Sequence, residues 1–223
     1  MKQTCDIPVW DLPTRLFHWL LVLLVAGAWL SYKFGDVTMT WHKWNGYAVL
    51  TLLLFRLLWG FIGSSTARFG DFVKGPFTLL RYLRGGAREP SLGHNPAGGW
   101  SVLAMLTVLI VQAVAGLFTS DDILVSGPLN FLVSSDTADT LSSIHRLGYY
   151  VLLGLVALHL AALVFHRLAH GENLVRAMIT GNKGPAHVPP GAAAVLRPLW
   201  LAALCLTLAA LAVWFGINAW LFW

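Results

Sequence analysis

Charged side chains are scarce in this chain, at 11% of 223 residues against 57% hydrophobic residues. Soluble domains carry about a quarter charged residues, so the composition excludes an ordinary soluble protein. Cysteine is also scarce: Cys5 and Cys205 predict neither a disulfide framework nor a thiolate metal site. Alternating strand patterns and internal repeats are absent, which leaves helices as the predicted means of crossing a membrane.

Long apolar stretches are what the chain has instead. Five of them, each about 20 residues long, are able to span the hydrocarbon of a bilayer as helices: 16–34, 44–62, 100–119, 144–168 and 199–223. The pattern predicts an all-α integral membrane protein, a bundle of five transmembrane helices. A Gly- and Pro-rich linker precedes the last stretch, so we expect a functional domain over 1–183 and an additional C-terminal helix within 184–223.

The net charge of +5 is divided unevenly between the two sides of this membrane. The side of the N-terminus collects most of the Lys and Arg residues: Lys2, Arg15, Arg56, Arg68, Lys74, Arg81, Arg84, Arg88, Arg167, Arg176, Lys183 and Arg197. The other side holds Lys33, Lys43 and Arg146. Such an excess is typical of cytoplasmic loops, so we expect a cytoplasmic N-terminus, an external C-terminus and no nucleic-acid partner.

Histidine is the polar residue that stands out inside the apolar stretches. His145 and His159 are 14 residues apart, so on one helix they share a face roughly 21 Å apart along its axis. His18 begins the first span on the cytoplasmic side, and His42 begins the second on the outside. Alternating helix directions therefore match His42 with His145 at one depth and His18 with His159 at the other. A single such histidine is also compatible with an interfacial or core position, but ionisable groups within a span usually mark function.

Two facing imidazoles from different helices are the way in which a bundle holds six-coordinate haem iron. A zinc site needs three or four ligands converging on one point, commonly with a carboxylate. Here the histidines separate into two depths and the acids lie in loops or tails, so haem is the better interpretation. Gly46, one turn after His42, leaves room for a bulky group, and four basic residues are candidate partners for the haem propionates: Arg15, Lys43, Arg56 and Arg146.

Arg56 and His166 allow two interpretations each. Arg56 lies on the His42 face of the second span, where it either extends to the cytoplasmic surface or meets an anion supplied by a ligand. His166 follows His159 by seven residues and is either interfacial or, together with Arg56, a site for a quinone carbonyl. Between the third and fourth spans, the loop carries acids that are either simply solvated or suited to docking a basic soluble partner: Asp121, Asp122, Asp136 and Asp139.

Several motifs together resemble the bacterial cytochrome b561 superfamily. They are VWDLPTRLFHW at 9–19, GHNPAGGW at 93–100 and TSDD at 119–122, with His42 spaced before Gly46 and Arg56, and His145 before His159. The first three motifs are most similar to the branch that contains the b-type cytochrome subunit of nickel-iron hydrogenases. The resemblance covers about residues 7 to 183.

This resemblance implies two haem b groups ligated by His18, His42, His145 and His159, in the bacterial cytoplasmic (inner) membrane. It also implies electron transfer between a periplasmic partner, either a c-type cytochrome or a hydrogenase, and membrane quinone, either ubiquinone or menaquinone. The fifth span departs from the four-helix core of the superfamily, and we expect that such an extra helix could serve assembly with the partner.

Two other functions are weighed against this one. A self-sufficient superoxide/quinone oxidoreductase would favour a basic external funnel, which the aspartates of the external loop oppose. A haem or metal-ion transporter would show broken helices and inverted repeats around a midplane site, and the sequence has neither.

Overall fold

The computed structural model describes residues 6–85, 90–121 and 123–218. Its elements in chain order are β1 Ile7–Pro8, α1 Leu12–Phe34, α2 Thr40–Ile62, α3 Phe69–Phe72, α4 Pro76–Leu83, α5 Pro96–Gly116, α6 Ser135–His170, α7 Leu174–Thr180, β2 Asn182–Lys183 and α8 Leu199–Ile217. Within the described residues, five helices are long and apolar enough to cross a membrane: α1, α2, α5, α6 and α8. The prediction of an all-α membrane protein with five spans is confirmed. Lys2, Cys5, Arg88 and Asp122 lie outside the described residues.

Four of the five spanning helices begin earlier than the apolar stretches predicted, and α8 begins at the predicted residue 199. The structure starts α6 at Ser135 rather than at 144, and α5 at Pro96 rather than at 100. Polar caps account for both extensions: the Asn95 Oδ1 accepts a hydrogen bond from the Gly98 N–H (2.7 Å), and the Ser134 hydroxyl accepts one from the Thr137 N–H (3.4 Å). A capped first turn needs no apolar side chains, so hydropathy alone places the boundary too late.

The described chain forms two compact units. The first unit comprises Met1–Leu16, Leu57–Ala104 and Leu155–Ala202, and the second comprises Phe17–Arg56, Met105–Gly154 and Ala203–Trp223. Each spanning helix therefore contributes residues to both units.

The first unit is built around the segment that precedes α1. There β1 pairs antiparallel with β2, with Ile7 opposite Lys183. Val9 and Trp10 pack with Ala177 and Val188 in a buried apolar cluster. The N-terminal segment is thus joined to residues more than 150 positions later in the sequence.

Asp11 connects two spanning helices within this first unit. Its carboxylate is 5% exposed; Oδ1 accepts a hydrogen bond from the Thr14 N–H (2.8 Å) and Oδ2 accepts one from the Trp59 indole (3.0 Å). One buried acid therefore caps α1 and also holds the end of α2. The linker before α8 is attached to the same region, because the Ser64 hydroxyl accepts a hydrogen bond from the Arg197 N–H (3.0 Å).

The second unit contains an apolar cavity of about 560 Å³ between α1 and α2. Its walls are one face of each helix: Leu20, Leu23 and Leu24 from α1, and Ala48, Thr51 and Leu52 from α2. These positions follow His18 and His42 by about one to three helical turns. Its size lies within the usual range for ligand sites in proteins.

Candidate functional site

His42 and His145 are brought together in the second unit. His42 lies in the first turn of α2 and His145 lies three turns into α6, and their ring centroids are 6.2 Å apart with the ring planes at 87°. The pairing of these two histidines by depth was a prediction from spacing alone.

Backbone carbonyls orient both rings. The His42 Nδ1 lies 2.9 Å from the Ala28 carbonyl oxygen, and the His145 Nδ1 lies 2.8 Å from the Gln112 carbonyl oxygen. A carbonyl oxygen accepts hydrogen bonds and donates none, so each Nδ1 carries the proton in the neutral ring. The Nε2 lone pair of each ring is then available for a metal ion, the usual arrangement for a metal-ligating histidine.

The separation of the two rings fits one metal ion between them. An imidazole nitrogen lies about 2.0 Å from a bound transition metal and about 1.1 Å from its own ring centroid, so two rings on opposite sides have centroids roughly 6 Å apart. Among the residues that the structure describes, no group of three or more His, Cys, Asp or Glu side chains is placed to hold a metal ion. The donor set therefore fits the two axial positions of a haem and does not fit a zinc site.

Two glycines provide space beside this pair. A Cβ atom built at Gly46 would meet nothing within 4 Å, which agrees with the expectation of room for a bulky group. A Cβ atom at Gly116 would lie 2.9 Å from the His145 Cε1, so this glycine permits the close approach of the ring. Gly116 and the carbonyls of Ala28 and Gln112 were not identified from the sequence, because nothing in a local pattern marks a backbone group as a partner.

His18 and His159 are described separately, because they belong to different units. His18 lies two turns into α1, partly buried, with the Trp19 ring 4.9 Å from its own. His159 is a partly buried residue of α6, which runs as one continuous helix from His145 through His159. The pairing of His18 with His159 stays a prediction.

The basic residues predicted around the haems have different surroundings. Arg56 is 3% exposed, so its side chain is covered by protein rather than extended to the surface. Arg15 donates to the Ile179 carbonyl, within the first unit. Arg146 is exposed and donates to the Ser143 hydroxyl (3.0 Å), and Lys43 is partly buried.

His166 lies in a polar cavity of about 260 Å³ in the first unit. Its Nε2 is 3.2 Å from the Asn95 Nδ2, and its Nδ1 is 3.5 Å from the Glu172 Oε2. Lys183, 5% exposed, lies 2.9 Å from the Glu172 Oε1. Sequence reasoning joined His166 to Arg56, a residue of the other unit, and missed Asn95, Glu172 and Lys183. The available signal was Asn95 within the GHNPAGGW motif.

Comparisons with known proteins place the chain in a family. The family model described as prokaryotic cytochrome b561 matches residues 9–181. A probable Ni/Fe-hydrogenase 1 B-type cytochrome subunit of Escherichia coli K12 is 22% identical over 78% of this chain and 89% of its own length. Probable Ni/Fe-hydrogenase B-type cytochrome subunits of Rhizobium leguminosarum and Rhodobacter capsulatus are 23% and 22% identical, over 80% and 82% of this chain and 89% and 83% of their own lengths.

The family match covers more than half of the chain and includes all four histidines predicted as ligands. The resemblance inferred from the motifs is therefore confirmed at the level of the family. The chain belongs to the prokaryotic cytochrome b561 family and is a multi-pass membrane cytochrome of electron transfer.

Proposed function

We propose that this cytochrome carries electrons across the bacterial cytoplasmic membrane between a periplasmic redox partner and the quinone pool. The observation that carries the proposal is the His42 and His145 pair, whose rings are 6.2 Å apart and whose Nδ1 atoms both face backbone carbonyls. The distribution of Lys and Arg supports a cytoplasmic N-terminus and a periplasmic C-terminus.

Two haem b groups are proposed within residues 1–183, with 184–223 as an additional helix. His42 and His145 would hold the outer haem, and His18 and His159 the inner one. Bound haem supplies a one-electron iron couple whose potential depends on its ligands and surroundings. The chain orients the outer ligands through the carbonyls of Ala28 and Gln112.

The remaining predicted residues contribute either positive charge or open space around the haems. Arg15 and Arg56 are proposed as cationic neighbours of the inner propionates, and Lys43 and Arg146 of the outer ones. Cations at these positions stabilise carboxylates where the surrounding dielectric constant is low. Gly46 leaves the face of α2 beside His42 open.

The external partner is proposed to be a hydrogenase or a c-type cytochrome. The curated relatives support the first, since they are named as hydrogenase subunits. The surface supports a basic partner of either kind, because Asp121, Asp136 and Asp139 are exposed, as are the apolar side chains of Ile123 and Leu124. Complementary charge around an apolar contact accelerates docking and selects the partner.

The membrane partner is proposed to be ubiquinone or menaquinone, bound at the His166 cavity. Asn95 and His166 provide polar groups able to bind the oxygen atoms of a quinone head group. The cavity volume of about 260 Å³ suits a single ring rather than a larger cofactor.

The test is the haem content of ligand variants. The pyridine adduct of the purified wild-type protein is expected to show two non-covalent haems per chain. His145→Ala is expected to lose the outer haem and His159→Ala the inner one, each leaving one haem per chain, because removing one axial ligand opens the iron coordination. His187→Ala, a histidine outside both pairs, serves as the matched control and is expected to retain both.

Redox titration of the single-haem variants identifies which haem has been lost, because the two haems have different surroundings and hence different potentials. Retention of both haems in His145→Ala would contradict the ligand assignment. A wild-type protein without haem would contradict the proposed function as a whole.

A further inference from the structure

The polar cavity of the first unit contains more titratable groups than quinone binding requires. Its titratable lining residues are Tyr82, His166, His170, Glu172 and His187, and its neutral polar ones are Ser91 and Asn95. All of these residues belong to one unit, and none of them is a predicted haem ligand.

Asn95 determines where His166 carries its proton. The Asn95 Oδ1 accepts a hydrogen bond from the Gly98 N–H at the start of α5 (2.7 Å), so its Nδ2 is the atom that faces the His166 Nε2 at 3.2 Å. An amide nitrogen donates and does not accept, so the His166 Nε2 must accept and is unprotonated in the neutral ring. The proton of the ring is therefore on Nδ1.

Glu172 lies on the Nδ1 side of the same ring. Its Oε2 is 3.5 Å from the His166 Nδ1, and its Oε1 is 2.9 Å from the Lys183 Nζ. Lys183 also donates to the carbonyls of Ser91 and Gly93, both at 3.2 Å, so its three N–H groups are all directed at oxygen atoms. A buried amino group with three oxygen partners has a fixed position and therefore holds the carboxylate in place.

We propose that His166 is a proton relay between a ligand in this cavity and Glu172, with Asn95 and Lys183 as positioning residues. The proposal rests on the proposed function in one respect, the quinone as ligand. When a hydroquinone hydroxyl takes the place of the Asn95 amide at the His166 Nε2 and releases its proton, the O–H bond breaks and an N–H bond forms at Nε2. The Nδ1–H bond then breaks and a carboxyl O–H bond forms on Glu172. This acid–base step changes no oxidation state, and its reverse delivers a proton to a quinol anion.

The surroundings of His166 suit such a relay. Besides Glu172 and Lys183, its titratable neighbour is His170 on the same helix, with ring centroids 5.2 Å apart. The distance of 3.5 Å to Glu172 is longer than a normal hydrogen bond, and such contacts commonly shorten when a ligand binds. His170 is the last residue of α6 and is partly buried, and Glu172 follows it by two residues.

The first test measures the tautomer of His166 by magic-angle-spinning NMR of [15N]histidine protein in lipid. The signal is assigned by its loss in His166→Gln. The wild type is expected to show a protonated Nδ1 and an unprotonated Nε2. Asn95→Asp is expected to reverse this, because a carboxylate oxygen can cap Gly98 while the other accepts from Nε2. A wild type protonated at Nε2, or an Asn95→Asp variant without the reversal, would overturn the relay.

The second test separates binding from turnover with two probes. Binding is measured by fluorescence quenching of 2-heptyl-4-hydroxyquinoline N-oxide, and turnover by oxidation of duroquinol. Asn95→Asp is expected to weaken binding about tenfold, since an Nε2 that is protonated and donates to the new carboxylate cannot accept a hydrogen bond from the probe hydroxyl. Glu172→Gln is expected to lower kcat about 100-fold with KM nearly unchanged, because in the relay Glu172 receives its proton from the His166 Nδ1 and not from the ligand.

Asp71→Asn is the matched control for Glu172→Gln. Asp71 is also an acid of the first unit that pairs with a cation. Its Oδ2 lies 2.7 Å from the Arg68 Nε, and this ion pair is on the surface. Asp71→Asn is expected to leave kcat and KM unchanged. If a low haem content shows that Glu172→Gln is poorly folded, the double variant Glu172→Gln/Lys183→Gln takes its place. It removes both charges of the ion pair and is expected to show the same loss of kcat. An unchanged kcat in a folded Glu172 variant would overturn the relay.

Failure of the relay and failure of the proposed function give different results. A wild type that does not bind the quinoline probe contradicts the quinone site, whereas the NMR measurement still decides the tautomer and its dependence on Asn95. If the probe binds but His166 of the wild type is protonated at Nε2, the quinone site is retained and the relay is rejected.

Discussion

The two outer histidines are oriented by atoms far from them in sequence. Ala28 precedes His42 by 14 residues, and Gln112 precedes His145 by 33. The spacing of histidines is enough to predict that the two rings share a depth. It contains no information on which carbonyl each ring meets, because that depends on how neighbouring helices are rotated about their axes.

Gly46 gives a test at the scale of one residue. Gly46→Leu is expected to lower the haem content from two to one per chain, although a Cβ at this position meets no protein atom within 4 Å. The reason is that the proposed outer haem would occupy the space beside His42. The measurement is the haem-to-protein ratio of the purified variant.

Gly216→Leu is the control for this substitution, because Gly216 lies in α8 and its Cβ would also meet nothing within 4 Å. It is expected to retain both haems. Equal haem content in the two variants would mean that the space beside His42 is not part of a haem site.

At the scale of elements, the loop between α5 and α6 is organised by one carboxylate. The Asp121 Oδ1 accepts hydrogen bonds from the amides of Ile123 (3.1 Å), Leu124 (2.9 Å) and Val125 (2.8 Å). These amides, that of Val125 most strongly, hold the pKa of Asp121 below its ordinary value. The sequence predicted an acidic loop, but not that this acid serves the backbone of the loop itself.

The loop is therefore expected to depend on pH. A carboxylate whose pKa is lowered on folding contributes its stabilisation above its ordinary pKa of about 4 and loses it as the pH falls through the native value. Hydrogen exchange at the amides of 123–125, corrected for the intrinsic rate, is expected to accelerate in this acid range.

Asp121→Asn is expected to show fast exchange already at neutral pH and little further change on acidification. Asp139→Asn, which alters an exposed acid of α6, is the control and is expected to behave as the wild type. Protection at 123–125 that persists in Asp121→Asn would contradict this role.

At the scale of the whole molecule, the proposed orientation is open to a direct test. Phe77 on α4 and Ile123 in the α5–α6 loop are almost equally exposed, at 82% and 83%. In a protein with Cys5→Ala and Cys205→Ala, Ile123→Cys is expected to react with a membrane-impermeant maleimide in intact spheroplasts. Phe77→Cys is expected to react only after permeabilisation, because cytoplasmic segments carry the excess of Lys and Arg. The opposite labelling would reverse the proposed orientation.

The sequence by itself determined the class of the protein and its five spans, and it predicted that His42 and His145 share a depth. These properties depend on hydropathy and on the helical repeat, which are local and regular. The motifs containing His18 and Asn95 were also enough to identify the family, although the sequence left the capped first turns of α5 and α6 outside the predicted spans.

Only the tertiary structure decided which groups meet. It brought the Nδ1 atoms of His42 and His145 to carbonyls, covered Arg56 with protein, and joined His166 to Asn95 and Glu172. Asn95 and His166 are 71 residues apart, and their contact depends on the rotation and packing of two helices and on the chain reversal after α6. Such contacts are satisfied by one arrangement of the folded chain, because a buried polar group must find its partner wherever packing places it.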